Sequence, residues 1–442
     1  MNLDEEKERA NTAKAASRQV FLPPSQAYLD DERDAYEDDN FWEARGPDER
    51  EPLDPLMEAI NQRWEEFSEL EDYEAQIALF EKTLEEAELM DDDMAYDMLE
   101  AIYEAGKTRG HDGRFLGLLD ALRERLPEIY ADSASFYLEL RIEHAIATGQ
   151  TDKIALPAGD LDNISDDIDI IFRISDLLAY HGLLMPLLEI MRAAWSQARN
   201  SKKNPPPSAD EIRVGTEYFE IFAALEQGLS LENDEAEIRQ RLSAYSAASA
   251  ENITRYIECL TGNHPKAWTR DDFILHKERW VNGNPVQQAV FFLSVEFIGD
   301  LRRKQDVPYT KGYLAQQALL TYLLGRYMDK FDEEEDAYNK HPKLRATSAD
   351  GLCPDSASLE DYLGGLLGLF PQEHRTAALM EYLPSWLRFL EARGLIDAAQ
   401  HEAALHPLRA LFSEIMEEYE NTDSPVVTGI RNSGLLPDES LS

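Results

Sequence analysis

The chain has 442 residues, enough for two or three domains, and its hydrophobic fraction of 43% supports real cores. Its 87 acidic and 43 basic residues give a net charge of −44, which argues against nucleic acid and anionic membranes and favours basic partners, although solubility alone would also explain it. Two cysteines, Cys259 and Cys353, are too few for a disulfide-stapled secreted domain, and residues 1–7 lack the pattern of a signal peptide.

No apolar run approaches the roughly 20 residues of a membrane span, so the expectation is a soluble, cytoplasmic protein. Valine occurs only nine times and no stretch alternates with period 2, so the predicted fold class is all-α.

Residues 1–52 are charged, aperiodic and broken by Pro23, Pro24, Pro47 and Pro52. They predict a partly disordered acidic arm, and residues 1–100 carry −23 of the net charge. Phe21, Tyr28, Tyr36, Phe41 and Trp42 would let the arm dock on the folded body or on a partner, the body being favoured.

Helical hairpins are predicted over 53–200. Leu56, Ile60, Trp64 and Phe67 open them, followed by Tyr73, Ile77, Phe80 and Leu84. Met94-Ala95, Met98-Leu99, Ile102 and Ala105 make a stripe ending at Gly106. Phe115-Leu116, Leu119, Leu122 and Leu126 make the next, stopped by Pro127. Further stripes end at Gly149 and Gly182. Asp91-Asp92-Asp93 and Asp166-Asp167 stand where helix caps and first-turn acids belong.

Pro205-Pro206-Pro207 predicts a stiff linker over 201–207. A helical domain is expected over 208–330, with Asn284-Pro285 opening a helix that carries Val286, Val290, Leu293, Phe297 and Leu301. An acidic, polar loop over 331–358, a C-terminal helical domain over 359–420 and a flexible tail over 421–442 complete the expected organisation.

The segment 96–127 resembles a degenerate tetratricopeptide repeat. Leu99, Ile102 and Gly106 fall on first-helix core positions, Phe115, Leu119 and Leu122 serve the second helix, and Pro127 ends the unit. Tyr103 and Phe115 depart from the small residues of that family, and the spacing between Gly106, Gly149, Gly182 and Gly228 drifts between about 33 and 46 residues. The resemblance implies an α-solenoid-like half and a peptide-binding or scaffolding role.

No residue set carries a recognised catalytic motif. Gly106-Lys107-Thr108 lacks the earlier glycine of a phosphate loop and ends a helix rather than opening one. His401 and His406 are five residues apart, about 140° around a helix, so they do not share a metal. None of the nine histidines has a glutamate three residues before it, which argues against a di-iron bundle. The aspartates at 160, 162, 166, 167 and 169 lack the glycine of a calcium loop. Cys259 with His264, or His341 with Cys353 and His374, could meet around zinc, but neither spacing is a recognised one, so no metal or cofactor is assigned.

The expected function is therefore a protein-interaction or scaffold role for a basic or apolar segment. Tyr96, Tyr103, Tyr137 and Tyr180 are its candidate contacts, with core packing as their ordinary alternative. Arg302-Arg303-Lys304, in a segment of net +3 over 276–330, would hold the acidic arm or an acidic partner unless it simply ends a helix. Two other expectations stand beside this one: an enzyme or small-ligand site between C-terminal helices, and an acidic decoy of a nucleic-acid-binding protein.

Overall fold

The computed structural model describes residues 55–107, 109–110, 113–151, 154, 168–200, 206–245, 249–274, 285–340, 349–368, 371–419 and 424–436. The predicted arm and most of the 155–169 aspartate run lie outside them. Among the described residues every regular element is a helix, which agrees with the all-α prediction. They divide into two compact units, with the division inside one helix between Thr216 and Glu217.

The first unit contains α1 (Pro55–Ser68), α2 (Tyr73–Glu85), α3 (Asp92–Lys107), α4 (Arg114–Arg125), α5 (Pro127–Asp132), α6 (Ala134–Ala147), α7 (Ile168–Tyr180), α8 (Leu184–Ala198) and the start of α9 (Pro206–Glu226). Asp91 caps α3 by accepting a 2.8 Å hydrogen bond from the Met94 N–H, the role its position predicts. Along α3, Met94, Ala95, Met98, Leu99 and Ile102 are buried and pack toward α2, α4, α5 and α6. The helix runs one residue past the predicted stop at Gly106, and the left-handed reversal falls on Gly110. Gly149 and Gly182 take that conformation where the sequence places helix ends.

Arg63 of α1 is buried against α2. It donates to Thr83 Oγ1 at 2.9 Å and to Glu86 Oε2 at 2.5 Å. The hydrogen bond from Arg63 holds the Glu86 carboxyl below its usual range. A depressed carboxylate contributes stability above its unfolded pKa, about 4.3, and loses it as pH falls through the folded value. Arg63→Met, which removes the buried hydrogen bond to Thr83, is expected to cost about 1 kcal/mol at neutral pH. Urea unfolding between about pH 6 and pH 3 should show a shallower acid loss in that variant than in the parent.

The second unit comprises the rest of α9, α10 (Leu231–Leu242), α11 (Ala250–Thr261), α12 (Pro285–Gln305), α13 (Tyr309–Lys340), α14 (Ser356–Leu366), α15 (Glu373–Ala392), α16 (Ala398–Glu418) and α17 (Pro425–Ser433). Pro285 opens α12 as predicted. Its core is aromatic. Phe222 stacks on Tyr309 with centroids 5.4 Å apart, and Phe297 meets Trp386 edge-on at 5.3 Å. Helix α12 packs on α11, α13 and α15, while α15 also carries α17.

Three predicted boundaries need correction. Pro206 begins α9, because a proline in the first helical turn lacks only an N–H that would have no intrahelical partner. The predicted loop from 331 is helical to Lys340, since Glu, Ala and Lys sustain a helix where no Pro or Gly interrupts. The predicted flexible tail contains α17, whose Val426, Val427 and Ile430 are buried. There Pro425 opens the helix and Gly434 ends it in the left-handed conformation. Gly429 lies so close to α15 that a Cβ would overlap the Ala377 backbone.

Candidate functional site

The structure revises the tyrosine candidates. Tyr103, Tyr137 and Tyr180 are core residues, with 2%, 0% and 6% of their surface exposed, so they present no ring to a partner. Tyr103 packs on Phe115 and Tyr137 stacks on Tyr130, both at about 5 Å between centroids. Burial pushes both phenols well above their ordinary pKa. Tyr96 alone is half-buried. Its ring lies 4.9 Å from Phe136, and its hydroxyl donates to Glu100 Oε1 at 3.0 Å.

The basic triplet is satisfied within its own unit. Arg302 pairs with Asp306 at 2.7 Å, Lys304 with Asp300 at 2.9 Å, and Arg303 donates to the Leu260 carbonyl at 2.5 Å. The three side chains thus brace the α12–α13 turn and the end of α11 and are not a free cationic patch.

Tyr96 borders a different feature. Asp93, Asp97, Glu100 and Glu104 are all exposed on α3. Their spacing of four, three and four residues places them on one helical face. Burial and the charges of Glu100, Asp93 and Asp91 raise the Asp97 pKa. Of the exposed side chains over 55–107, fourteen are acidic and two, Lys82 and Lys107, are basic, so this surface is strongly negative. Lys107 pairs with Glu104 at the end of the row.

A second cluster lies in the other unit. The C-terminus of α11 turns back at Gly262, with φ 79°, and the N–H groups of Asn263 and His264 return to the Glu258 carbonyl at 2.8 and 3.1 Å. That reversal sets His264 beside Cys259. Helix α12 crosses α11 at Gly299, where a Cβ would overlap the Leu260 carbonyl oxygen, and this close approach delivers Glu296 to the same place. Donor atoms of Cys259, His264 and Glu296 all lie within 4.8 Å of one another. Burial is the first cause of raised Cys259 and Glu296 pKa values and a lowered His264 pKa, so the metal-free cluster favours neutral forms. Arg393, 3.2 Å from Glu296 Oε2, partly opposes the shift on Glu296.

Sequence reasoning paired Cys259 with His264 but missed Glu296. A signal was present: Glu296 is the lone charge in the run 289–299, where Ser294 is the one other polar side chain. The side chain of His341 lies outside the described set. His401 faces Glu391 at 2.5 Å, while His406 is exposed. Among the described residues no helix is long and apolar enough to cross a membrane. No protein-family model, curated protein or solved structure matches this chain.

Proposed function

We propose that the protein is an interaction module whose α3 carboxylate row receives a basic protein segment. The observation that carries this reading is the row itself: Asp93, Asp97, Glu100 and Glu104, exposed along one face and bordered by the half-buried Tyr96. Like charges at i,i+3 and i,i+4 destabilise a helix by about 0.2–0.5 kcal/mol per pair, so the row opposes the stability of α3 unless cations meet it. The helix persists because its opposite face buries Met94, Met98, Leu99 and Ile102. A partner helix with Lys or Arg at the same spacing would neutralise the row.

The surrounding architecture supports a scaffold. Substantial helix–helix contacts in the first unit, among the described residues, join elements no more than three places apart in chain order. Such locality suits solenoid-like stacking of the tetratricopeptide kind, which grows by adding neighbours and offers a long surface.

The test compares two lysine-rich helical peptides of equal composition, one patterned to the row and one scrambled. At about 0.15 M salt the patterned peptide should bind about tenfold more tightly to the full chain. The triple variant Asp97→Asn, Glu100→Gln, Glu104→Gln should lose that preference while unfolding at a higher temperature, by roughly 0.5–1.5 kcal/mol of relieved repulsion. Equal affinity for both peptides would leave bulk charge as the cause and overturn the reading.

A further inference from the structure

We propose that Cys259, His264 and Glu296 form a zinc site, with the thiolate, an imidazole nitrogen and a carboxylate oxygen as three ligands and a fourth position open to an adjoining cleft. Three separate stretches of chain supply these donors: the last turn of α11, the reversal after Gly262, and the middle of α12.

Geometry is the first argument. Zinc bonds of about 2.3 Å to sulfur and 2.0–2.2 Å to nitrogen or oxygen put neighbouring tetrahedral ligands about 3.3–3.6 Å apart. His264 Nδ1 and Glu296 Oε1 are 3.8 Å apart, too long for a hydrogen bond and close to a ligand–ligand edge. With every donor atom within 4.8 Å of the others, closure on an ion needs shifts of about 1 Å.

The mutual convergence also separates this arrangement from a nucleophile relay. In a relay the imidazole stands between thiol and carboxylate and holds them apart by its width. Here one donor atom from each of the three residues lies within 4.8 Å of the other two. Cys259 is 0% exposed, which leaves its sulfur out of reach of a substrate but available to a buried ion.

Charge is the second argument. Glu296 is 2% exposed, with Arg393 3.2 Å from its Oε2 and the Trp268 indole N–H also turned toward its carboxyl. A thiolate and a carboxylate together cancel the two charges of a zinc ion, so the loaded site is neutral at its centre. Thiolate with imidazole is a donor set suited to zinc rather than to magnesium or calcium.

Access and the outer shell form the third. His264 lines a cleft of about 280 Å³, together with Arg239, Glu251, Arg255 and Glu258. The two acids offset the two arginines, so the approach presents no net positive barrier. Trp268 stacks on His264 with 10° between planes, fixing the ring. The Lys266 N–H reaches His264 Nδ1 at 3.3 Å, a weak bond that an ion at that nitrogen would replace. Arg393 on the second carboxylate oxygen orients Glu296.

Cobalt provides the decisive probe because the acidic surface of this chain will also collect divalent ions weakly through oxygen. The purified full chain, stripped with chelator, is titrated with Co2+ and then with Zn2+. The expected result is one cobalt per chain with a thiolate-to-metal charge-transfer band and intense tetrahedral d–d bands, both removed by stoichiometric zinc. Cys259→Ser should abolish the charge-transfer band and weaken zinc binding at least about a hundredfold, with unchanged helical circular dichroism. If that variant does not fold, His264→Asn, at the cleft wall, should weaken the same band and shift zinc affinity. Only weakly coloured, oxygen-ligated cobalt in the parent, or a spectrum unaltered by Cys259→Ser, overturns the proposal.

Discussion

Replacing Trp386 with alanine is expected to destabilise the second unit by about 3–5 kcal/mol, the range for removing a large buried aromatic side chain. Trp386 is 0% exposed and is packed against Phe297 and Phe389 with centroids 5.3 and 5.7 Å away. Its indole N–H donates to the Leu352 carbonyl at 2.9 Å, tying α15 to the 3-10 turn Ala349–Leu352. Alanine leaves both a cavity and an unpartnered buried carbonyl. Trp386→Phe keeps most of the ring volume and loses only the hydrogen bond, so its cost should be about 1–3 kcal/mol. Urea unfolding followed by circular dichroism measures both. A loss below about 1 kcal/mol for the alanine variant would mean that this aromatic cluster does not hold the unit together.

The second large effect is expected at Gly299. Helices α11 and α12 touch there so closely that an added Cβ falls on the Leu260 carbonyl oxygen. Backbone cannot swing aside as a side chain end can, so Gly299→Ala should force the helices apart and cost about 1–3 kcal/mol or more. Gly312→Ala is the control. Its Cβ would meet the end of Ile298 at 3.2 Å, which can shift by a few tenths of an ångström. The intrinsic helix preference for alanine, up to about 1 kcal/mol, then offsets the crowding. Thermal unfolding should separate the two variants clearly, and equal tolerance would sink the close crossing. Because the same crossing delivers Glu296 to Cys259, Gly299→Ala should also weaken the cobalt charge-transfer band, linking the packing to the proposed zinc site.

The α3 row and the buried cluster differ in how far the sequence discloses them. Asp93, Asp97, Glu100 and Glu104 follow helical spacing in one continuous segment, so their common face is a matter of local geometry. The aspartates at 91–93 also stand at the helix start, where Asp91 is the cap. Cys259 and His264 are close in the chain, whereas nothing local connects Glu296 to a turn 32 residues earlier. The predicted flexible tail over 421–442 contains the helix Pro425–Ser433 for a related reason. Each residue that breaks a helix in its interior also starts one, ends one or permits a close crossing, and the choice depends on what lies opposite.

The all-α character is legible in the residue pattern, since apolar residues recur every three to four positions and β-branched alternation is absent. The cap at Asp91, the helix ends at Gly149 and Gly182, and the sign of the surface are legible there too. These features depend on neighbours a few residues away. That Tyr103, Tyr137 and Tyr180 face inward and that Arg302, Arg303 and Lys304 are paired emerges from the packing of distant segments. So do the docking of α17 on α15 and the approach of Glu296 to Cys259 and His264. Burial, charge pairing and donor convergence are set by groups brought from distant parts of the chain, and helical periodicity carries no record of which faces will meet.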